Sequence, residues 1–530
     1  MSEQRAHNFW GWGYADRFPD LDTRRGLGEQ VGALLGAGPL VPRDPPARDA
    51  ITLPAPRIAP PSPLAHLGSA APHDRITHTH GRGYRDILRG FRGDFASAPD
   101  WVAYPATEQD IEALLAWCSQ ARITVVPFGG GTSVVGGVEP RRGPSSEGVI
   151  SLDLRRLDRV LDVDPLSRAA RIQAGARGPA IEAQLAPHGL TLRHYPQSFE
   201  FSTLGGWIAT RAGGHFATLH THIDDFVSSI RMLTPAGVYA TPRLPASGAG
   251  PSPDRLALGS EGILGVITEA WLRVQARPRY RASASVSFPA FAEGAAAARA
   301  IAQAGLYPAN CRLIDRTEML LNGVPSDGDA VLLLGFESSD HPLGPWIDRA
   351  LALAAEHGGR CPEGPRLRDD GARGAAAAAS TYRESFFQAP YLQTALVSLG
   401  VIADTFETAC TWDRFEALHA AVQAAAREAG AGALACRFTH VYPDGPAPYY
   451  TFLAAAPPGE EIERWTAIRN AATDALAAAG GTITHHHAVG RLHRPWYDRE
   501  RPDPFALALR AAKRALDPQG ILNPGVLIDV

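Results

Sequence analysis

Lysine is almost missing from this chain: among 51 basic residues only Lys513 is a lysine, and the rest are arginines. Enzymes that form Schiff bases, pyridoxal phosphate enzymes included, have nearly no residue here to work with. Cysteine is scarce as well. Cys118, Cys311, Cys361, Cys410 and Cys436 are scattered, with no CxxC pair and no CxxCH. This pattern offers neither a zinc ribbon nor an iron–sulfur ligand set and fits a reducing compartment. No apolar run approaches the roughly 20 residues that span a bilayer. There is no charged-then-apolar leader, and the chain ends "GVLIDV" rather than in a peroxisomal "SKL"-like address. The cytoplasm is the expected location. A net charge of -4 supplies no overall field for nucleic acid, so no nucleic-acid partner is expected.

What is present is ordinary globular composition, 45% hydrophobic and 20% charged over 530 residues, enough for two or three domains. Residues 1–90 form an N-terminal arm that opens with aromatic-rich "HNFWGWGYADRF" and runs into a proline-rich stretch. Its prolines predict extended chain rather than helix. From Trp101, "WVAYPATEQDIEALLAWCSQARITVVPFGGGTS" predicts strand, amphipathic helix, β-branched strand and glycine turn. Short strands and glycine-rich turns follow to residue 276. From 277 the pattern becomes strand, alanine-rich helix, strand, repeated loosely to residue 480. That predicts an antiparallel sheet covered by helices, and an α+β class overall.

Three stretches carry the chemistry. In "PFGGGTSV", the glycines let backbone N–H groups approach an anion, while Thr132 and Ser133 add hydroxyls. A tight structural turn would look similar, since this is neither GxGxxG nor a P-loop. Two further loops, "YPQSFEFSTLGGWIATRAGG" at 195–214 and "LGSEGILGVITEA" at 258–270, mix glycine, hydroxyls and a carboxylate beside apolar strands. The third feature is "THHHAVGR", Thr484 to Arg491. It is internal, which excludes a purification tag. On a strand His485 and His487 share a face opposite His486, so the three cannot converge on one ion, and no metal is expected. Tyr449 and Tyr450, on an apolar strand, read equally well as core aromatics.

Taken in order, these loops with "GWGYADRF", "CRLID", "DTFETACTWDR" and "THHHAVGR" resemble the vanillyl-alcohol oxidase and p-cresol methylhydroxylase superfamily. Within it the chain is most similar to the alkyldihydroxyacetonephosphate synthases. The resemblance implies a two-subdomain FAD-binding domain of the PCMH type over 91–276 and a substrate cap domain over 277–480. A segment at 481–530 would carry the histidine run and close the site. FAD would lie against Pro127, Phe128, Gly129, Gly130, Gly131, Thr132 and Ser133; Gln197, Ser198 and Thr203; Thr210, Arg211, Ala212 and Gly213; and Glu261, Gly262, Gly265, Val266 and Ile267. With no histidine in the glycine loop, the flavin is expected to be non-covalent.

The catalytic set implied is Tyr449, Arg312, His194, His485, His486 and His487: a phenol and imidazoles to move protons, and a guanidinium to hold an anionic oxygen. The implied reaction exchanges the acyl group of acyl-dihydroxyacetone phosphate for a fatty alcohol through a flavin N5 adduct. Two positions depart from the pattern. The family's phosphate-contacting arginine falls at Gln393, and its lysines are replaced by a loop carrying His215, His220 and His222, with Arg383 or His215 as possible substitutes. The alternative is an FAD-dependent oxidase or dehydrogenase of an alcohol or hydroxy acid. Its metal-gathering "EHG" carboxylate is a histidine here. Expected partners are a small-molecule or lipid substrate, a membrane surface met by the arm, and a second copy in a homodimer.

Overall fold

Thr107 starts the first long helix of the flavin half. Its hydroxyl accepts from the N–H of Asp110, and the Asp110 carboxylate accepts from the N–H of Thr107. The helix Glu108–Ala121 buries Ile111, Leu114, Leu115 and Cys118, the i, i+3, i+4, i+7 spacing of one helical face. It delivers the chain to the strand Ile123–Phe128, which lies parallel to Gly148–Asp153 and ends at the glycine loop. The computed structural model describes residues 5–324, 327–369 and 377–529, with 377–387 as backbone only. Residues 371–376 of the alanine tract and the Arg383 side chain therefore lie outside the described parts.

The flavin half is two layers. One is a four-stranded sheet ordered Gly68–Ser69, Trp101–Ala103, Gly148–Asp153, Ile123–Phe128. The other is a five-stranded antiparallel sheet ordered Val160–Asp164, Ala169–Gln173, Val266–Arg273, Val227–Thr234, Gly237–Ala240. One hydrophobic core joins them and takes in Ile521, Leu522 and Val526 from the C-terminal segment. Leu522 bridges directly to Val125.

The cap is a seven-stranded antiparallel sheet. Its order is Arg366–Arg368, Tyr280–Phe288, Ala330–Ser338, Asn310–Asp315, Ala433–Val441, Pro446–Ala455, Val401–Glu407. Helices Phe291–Gln303, Gly344–Glu356, Trp412–Glu428 and Glu461–Ala478 cover it. No described helix is long and apolar enough to cross a membrane.

The arm departs from expectation where helices form, at Leu21–Leu35, Pro72–Thr77 and Tyr84–Phe91. The first of them occupies the gap between Pro19 and Pro39. Asp20 caps its start by accepting from Thr23 N–H, and Gly36, at φ +63°, ends it. Proline content averaged over the arm hid a proline-free stretch with good caps. The aromatic cluster packs inward: Trp10 and Trp12 are buried, and Trp10 meets Phe91 edge-on at 5.0 Å.

Candidate active site

The glycine loop is built for close approach. A Cβ on Gly130 would stand 2.0 Å from the Phe201 carbonyl oxygen, one on Gly129 would stand 2.2 Å from Thr203 Oγ1, and Gly131 has φ +67°. Among the described residues, the N–H groups of Gly130, Gly131, Thr132 and Ser133 have no partner. Thr203 Oγ1 is likewise buried without one. Unsatisfied donors turned into a cleft are what a pyrophosphate and ribityl chain would need, so these residues fit FAD. Gly130→Ala is expected to yield protein that purifies without flavin absorbance, because the clash is against backbone and the loop must shift. A tenfold loss of FAD affinity corresponds to about 1.4 kcal/mol. Full flavin occupancy in this variant would show that the loop does not cradle the cofactor.

Of the flavin contacts expected from sequence, Gly129 to Ser133, Gln197, Ser198, Thr203, Thr210, Ala212 and Gly213 line one continuous cleft. Others stand behind it. Pro127 packs under Gly262. Val266 and Ile267 pair with Leu233 and Met232, and Gly265 lies against Met232. The Phe128 ring lies against Gly131 and His78. The Arg211 side chain turns away to Asp224 at 2.8 Å. Glu261 does not face the cleft either. Its carboxylate accepts from Val489 and Gly490 N–H, tying the segment after the histidines to the flavin half, and burial pushes its pKa up to about 7.

The cleft continues over one face of the cap sheet. Strand register sets Glu407 and Arg437 on either side of Tyr449, and Ile314 opposite Arg437, so alternation brings Arg312 toward Thr439 on the same face. A bulge between Phe438 and His440 lets both Thr439 and His440 reach the cleft. Tyr450 points the other way and stacks on Phe406 at 5.0 Å, a core aromatic. Tyr449 donates to Thr405 Oγ1 at 2.9 Å, with the Arg437 guanidinium 4.0 Å above its ring. Burial raises the phenol's pKa and outweighs the lowering by Arg437, so the group keeps its proton. Arg437 is itself paired with buried Glu318 at 2.6 Å. Arg312, almost fully buried, donates to the His215 carbonyl and stands 3.3 Å from His215 Nδ1.

The histidine run is not a strand, which corrects the alternating-face expectation. Residues 484–488 form an irregular loop wrapped around one carboxylate. Glu407 accepts from the N–H groups of His485, His486 and His487 at 2.5, 3.2 and 2.9 Å, and from Thr484 Oγ1 at 2.5 Å. Burial alone would raise the Glu407 pKa. The neighbouring histidines and Thr484 instead hold it far below the carboxylate range. Because the loop curls, His485 and His486 meet through their Nδ1 atoms at 3.0 Å. One nitrogen each from His440, His485 and His486 lies within 4.8 Å of the others. His487 is not among them, so the three histidines of the run do not converge on one ion, although the strand alternation that separated His485 from His486 does not hold.

Of the expected catalytic residues, Tyr449, Arg312, His486 and His487 line the cleft, His485 stands behind His486, and His194 is kept away from it. It is buried between Trp207 and Phe226, beneath Gly214, with both ring nitrogens unpaired and its pKa pushed down to about 3 by burial. It has no outlet for a proton. Gln393 does line the cleft, but its amide is used: the oxygen accepts from Trp12 Nε1 at 3.0 Å and the nitrogen donates to the Ala403 carbonyl at 2.8 Å. Sequence reasoning missed Glu407, Arg437 and His440. Glu407 stands in "DTFETACTWDR", but only the strand register shows that it converges with Arg437 and His440.

Fold and site together define a two-domain flavoprotein. Residues 99–241 match the model of the FAD binding domain, and residues 277–527 match that of the FAD linked oxidases, C-terminal domain. Over 488 residues the chain is 30% identical to alkyldihydroxyacetonephosphate synthase of Trypanosoma brucei brucei, covering 86% of this chain and 77% of that protein. A solved alkyldihydroxyacetonephosphate synthase superposes with TM-score 0.79 at 25% identity, covering 98% of each chain. The glycolate oxidase subunit GlcD of Bacillus subtilis is 26% identical, covering 81% of this chain and 89% of that protein. The chain belongs to the alkyldihydroxyacetonephosphate synthase family and is an FAD-dependent enzyme.

Proposed function

We propose that the enzyme exchanges the acyl group of an acyl-dihydroxyacetone phosphate for a fatty alcohol, with no net redox change and with FAD held non-covalently. The observation that carries this is the joining of two environments in one cleft. Tyr449, Arg312, His486 and the glycine loop line the same cleft as Leu321, Leu392, Leu396 and Leu453. Apolar side chains in one cleft with proton-carrying groups suit a chain-bearing ester and alcohol.

FAD supplies an electrophilic nitrogen for the substrate carbon. Around it, Tyr449 keeps a phenolic proton for transfer, and His486, its pKa pushed down to about 3 mainly by burial, stays a neutral base. Arg312, with His215, orients the oxygen-rich headgroup. Gln393 brings no charge to that task, and its amide is anchored to Trp12 and to the Ala403 carbonyl. The five free thiols accord with a cytoplasmic setting, and a homodimer docking peripherally at lipid completes the proposal.

FAD-loaded protein given acyl-dihydroxyacetone phosphate and labelled fatty alcohol should form the ether product. Tyr449→Phe should retain flavin and lose activity by about 10²- to 10⁴-fold. Intact bound FAD with no turnover would sink the proposal. The occupied Gln393 amide favours a second reading, an oxidase or dehydrogenase of an alcohol with another headgroup. Anaerobic bleaching of the flavin by such an alcohol would select it.

A further inference from the structure

The loop that departs from the family pattern, Gly213 to His222, runs beside the histidine run, and the contacts between them are specific. His222 Nε2 lies 2.8 Å from the His485 carbonyl oxygen, and Thr221 Oγ1 is 3.3 Å from His222 Nδ1. The Tyr442 hydroxyl donates to Thr221 Oγ1 at 3.1 Å and stands 2.8 Å from His485 Nε2. His485 Nδ1 and His486 Nδ1 are 3.0 Å apart. One end of this series, His486, lines the flavin cleft. The other, His222, lines a separate outer cavity of about 360 Å³ bordered by His220, exposed Asp225, Tyr307 and Tyr442.

The hydrogens along this series have one consistent arrangement for neutral rings. A carbonyl oxygen only accepts, so His222 Nε2 carries hydrogen and its Nδ1 is a lone pair. Thr221 therefore donates to His222, and Tyr442 donates to Thr221. The Tyr442 oxygen is then free to accept from His485 Nε2–H, which leaves a lone pair on His485 Nδ1. That lone pair accepts from His486 Nδ1–H, and His486 Nε2 is left as a base. The Glu407 carboxylate, 3.7 Å from His486 Nδ1, favours hydrogen on that nitrogen. Burial pushes the pKa values of His485 and His486 down, which keeps both rings neutral as the arrangement requires.

We propose that His486, His485, Tyr442, Thr221 and His222 form a proton relay that carries the substrate's proton from the flavin cleft to solvent. The step balances as follows. His486 Nε2 takes a proton from the substrate and passes its Nδ1 hydrogen to His485 Nδ1. His485 passes its Nε2 hydrogen to the Tyr442 oxygen, Tyr442 passes its own to Thr221, and Thr221 passes its own to His222 Nδ1. His222 becomes the cation and gives up its Nε2 hydrogen to the outer cavity as that N–H leaves the His485 carbonyl, keeping the hydrogen received at Nδ1. The reverse shift returns a proton for the leaving group, with no net charge moved. His485, Tyr442 and Thr221 act through His486 as positioning and relay groups. The proposal rests on the acyl-exchange reading only for its kinetic test.

Neutron crystallography of the FAD-loaded protein is expected to show hydrogen on His486 Nδ1, His485 Nε2 and His222 Nε2, with none on His486 Nε2. Hydrogen on His486 Nε2 reverses the polarity and overturns the relay. In the acyl-exchange assay, Tyr442→Phe and Thr221→Val should each lower kcat by about 10- to 100-fold with KM, flavin content and melting temperature unchanged. The curved proton inventory expected of wild type should become linear in Tyr442→Phe. Unchanged kcat in both variants overturns the relay. If wild type gives no exchange product, the proposed reaction fails by itself, and the neutron positions alone decide for or against the relay.

Discussion

Replacing Glu407 with alanine is expected to cost about 3–5 kcal/mol of stability and to remove activity entirely. The carboxylate is buried at the end of the strand Val401–Glu407, level with Tyr449 on the next strand. Three consecutive backbone N–H groups and the Thr484 hydroxyl converge on it. Alanine leaves those donors unpaired in an enclosed site and removes the one acceptor on which the N–H groups of His485, His486 and His487 all converge. Glu407→Gln keeps the size and one acceptor oxygen, but sets an NH₂ against N–H donors. Its stability loss should be smaller and its activity still low. Urea unfolding midpoints, flavin content and turnover of the three proteins separate the effects. Flavin should persist in both variants, since the glycine loop is untouched. A Glu407→Ala midpoint within about 0.5 kcal/mol of wild type would show that the loop holds itself.

The features legible in the sequence were the ones encoded locally. A glycine triplet after a β-branched strand specifies a close-approach turn wherever it lies, and the loop at 129–133 is one. The helix Glu108–Ala121 announces itself by spacing and cap. The cap's strand–helix–strand periodicity likewise predicted an antiparallel sheet covered by helices. The histidine run shows the opposite case. Its conformation depends on Glu407, 78 residues earlier in sequence, so adjacent histidines were assigned strand alternation that the carboxylate overrides. His194 was placed with the flavin by motif order alone, and motif order says nothing of depth; the Trp207 and Phe226 rings enclose it. Gln393 could be recognised as a departure, but its anchoring to Trp12, 381 residues away, became visible only in the fold. Local signals thus located the cofactor cradle, and long-range hydrogen bonds decided the proton chemistry.

Stability should collapse as pH falls from about 6.5 toward 4, more steeply than carboxylate protonation alone would produce. Burial lowers the pKa values of many imidazoles, among them those of His80, His194, His419, His440, His485, His486, His487 and His493. A histidine whose folded pKa lies below its unfolded value of 6.5 is protonated first in the unfolded chain. Its contribution is full above 6.5 and is lost as pH falls toward the folded value, about 3 for His194, His486 and His493. Three buried carboxyls oppose this. Burial raises Asp86 to about 6 and Glu261 and Asp315 to about 7, so the folded chain takes up their protons first as pH falls. The lowered imidazoles outnumber these carboxyls, so the unfolded chain binds more protons near pH 5, and each net proton contributes a slope of about 1.4 kcal/mol per pH unit. Urea midpoints of FAD-loaded protein should therefore drop sharply between pH 7 and 5, with proton uptake on unfolding detectable by indicator dye. His493→Gln should flatten the slope by about one proton, because Gln offers the same hydrogen-bonding capacity without titrating. A flat profile across this range would mean that these imidazoles are already hydrated or charged in the folded protein, and that His486 is not held as a neutral base.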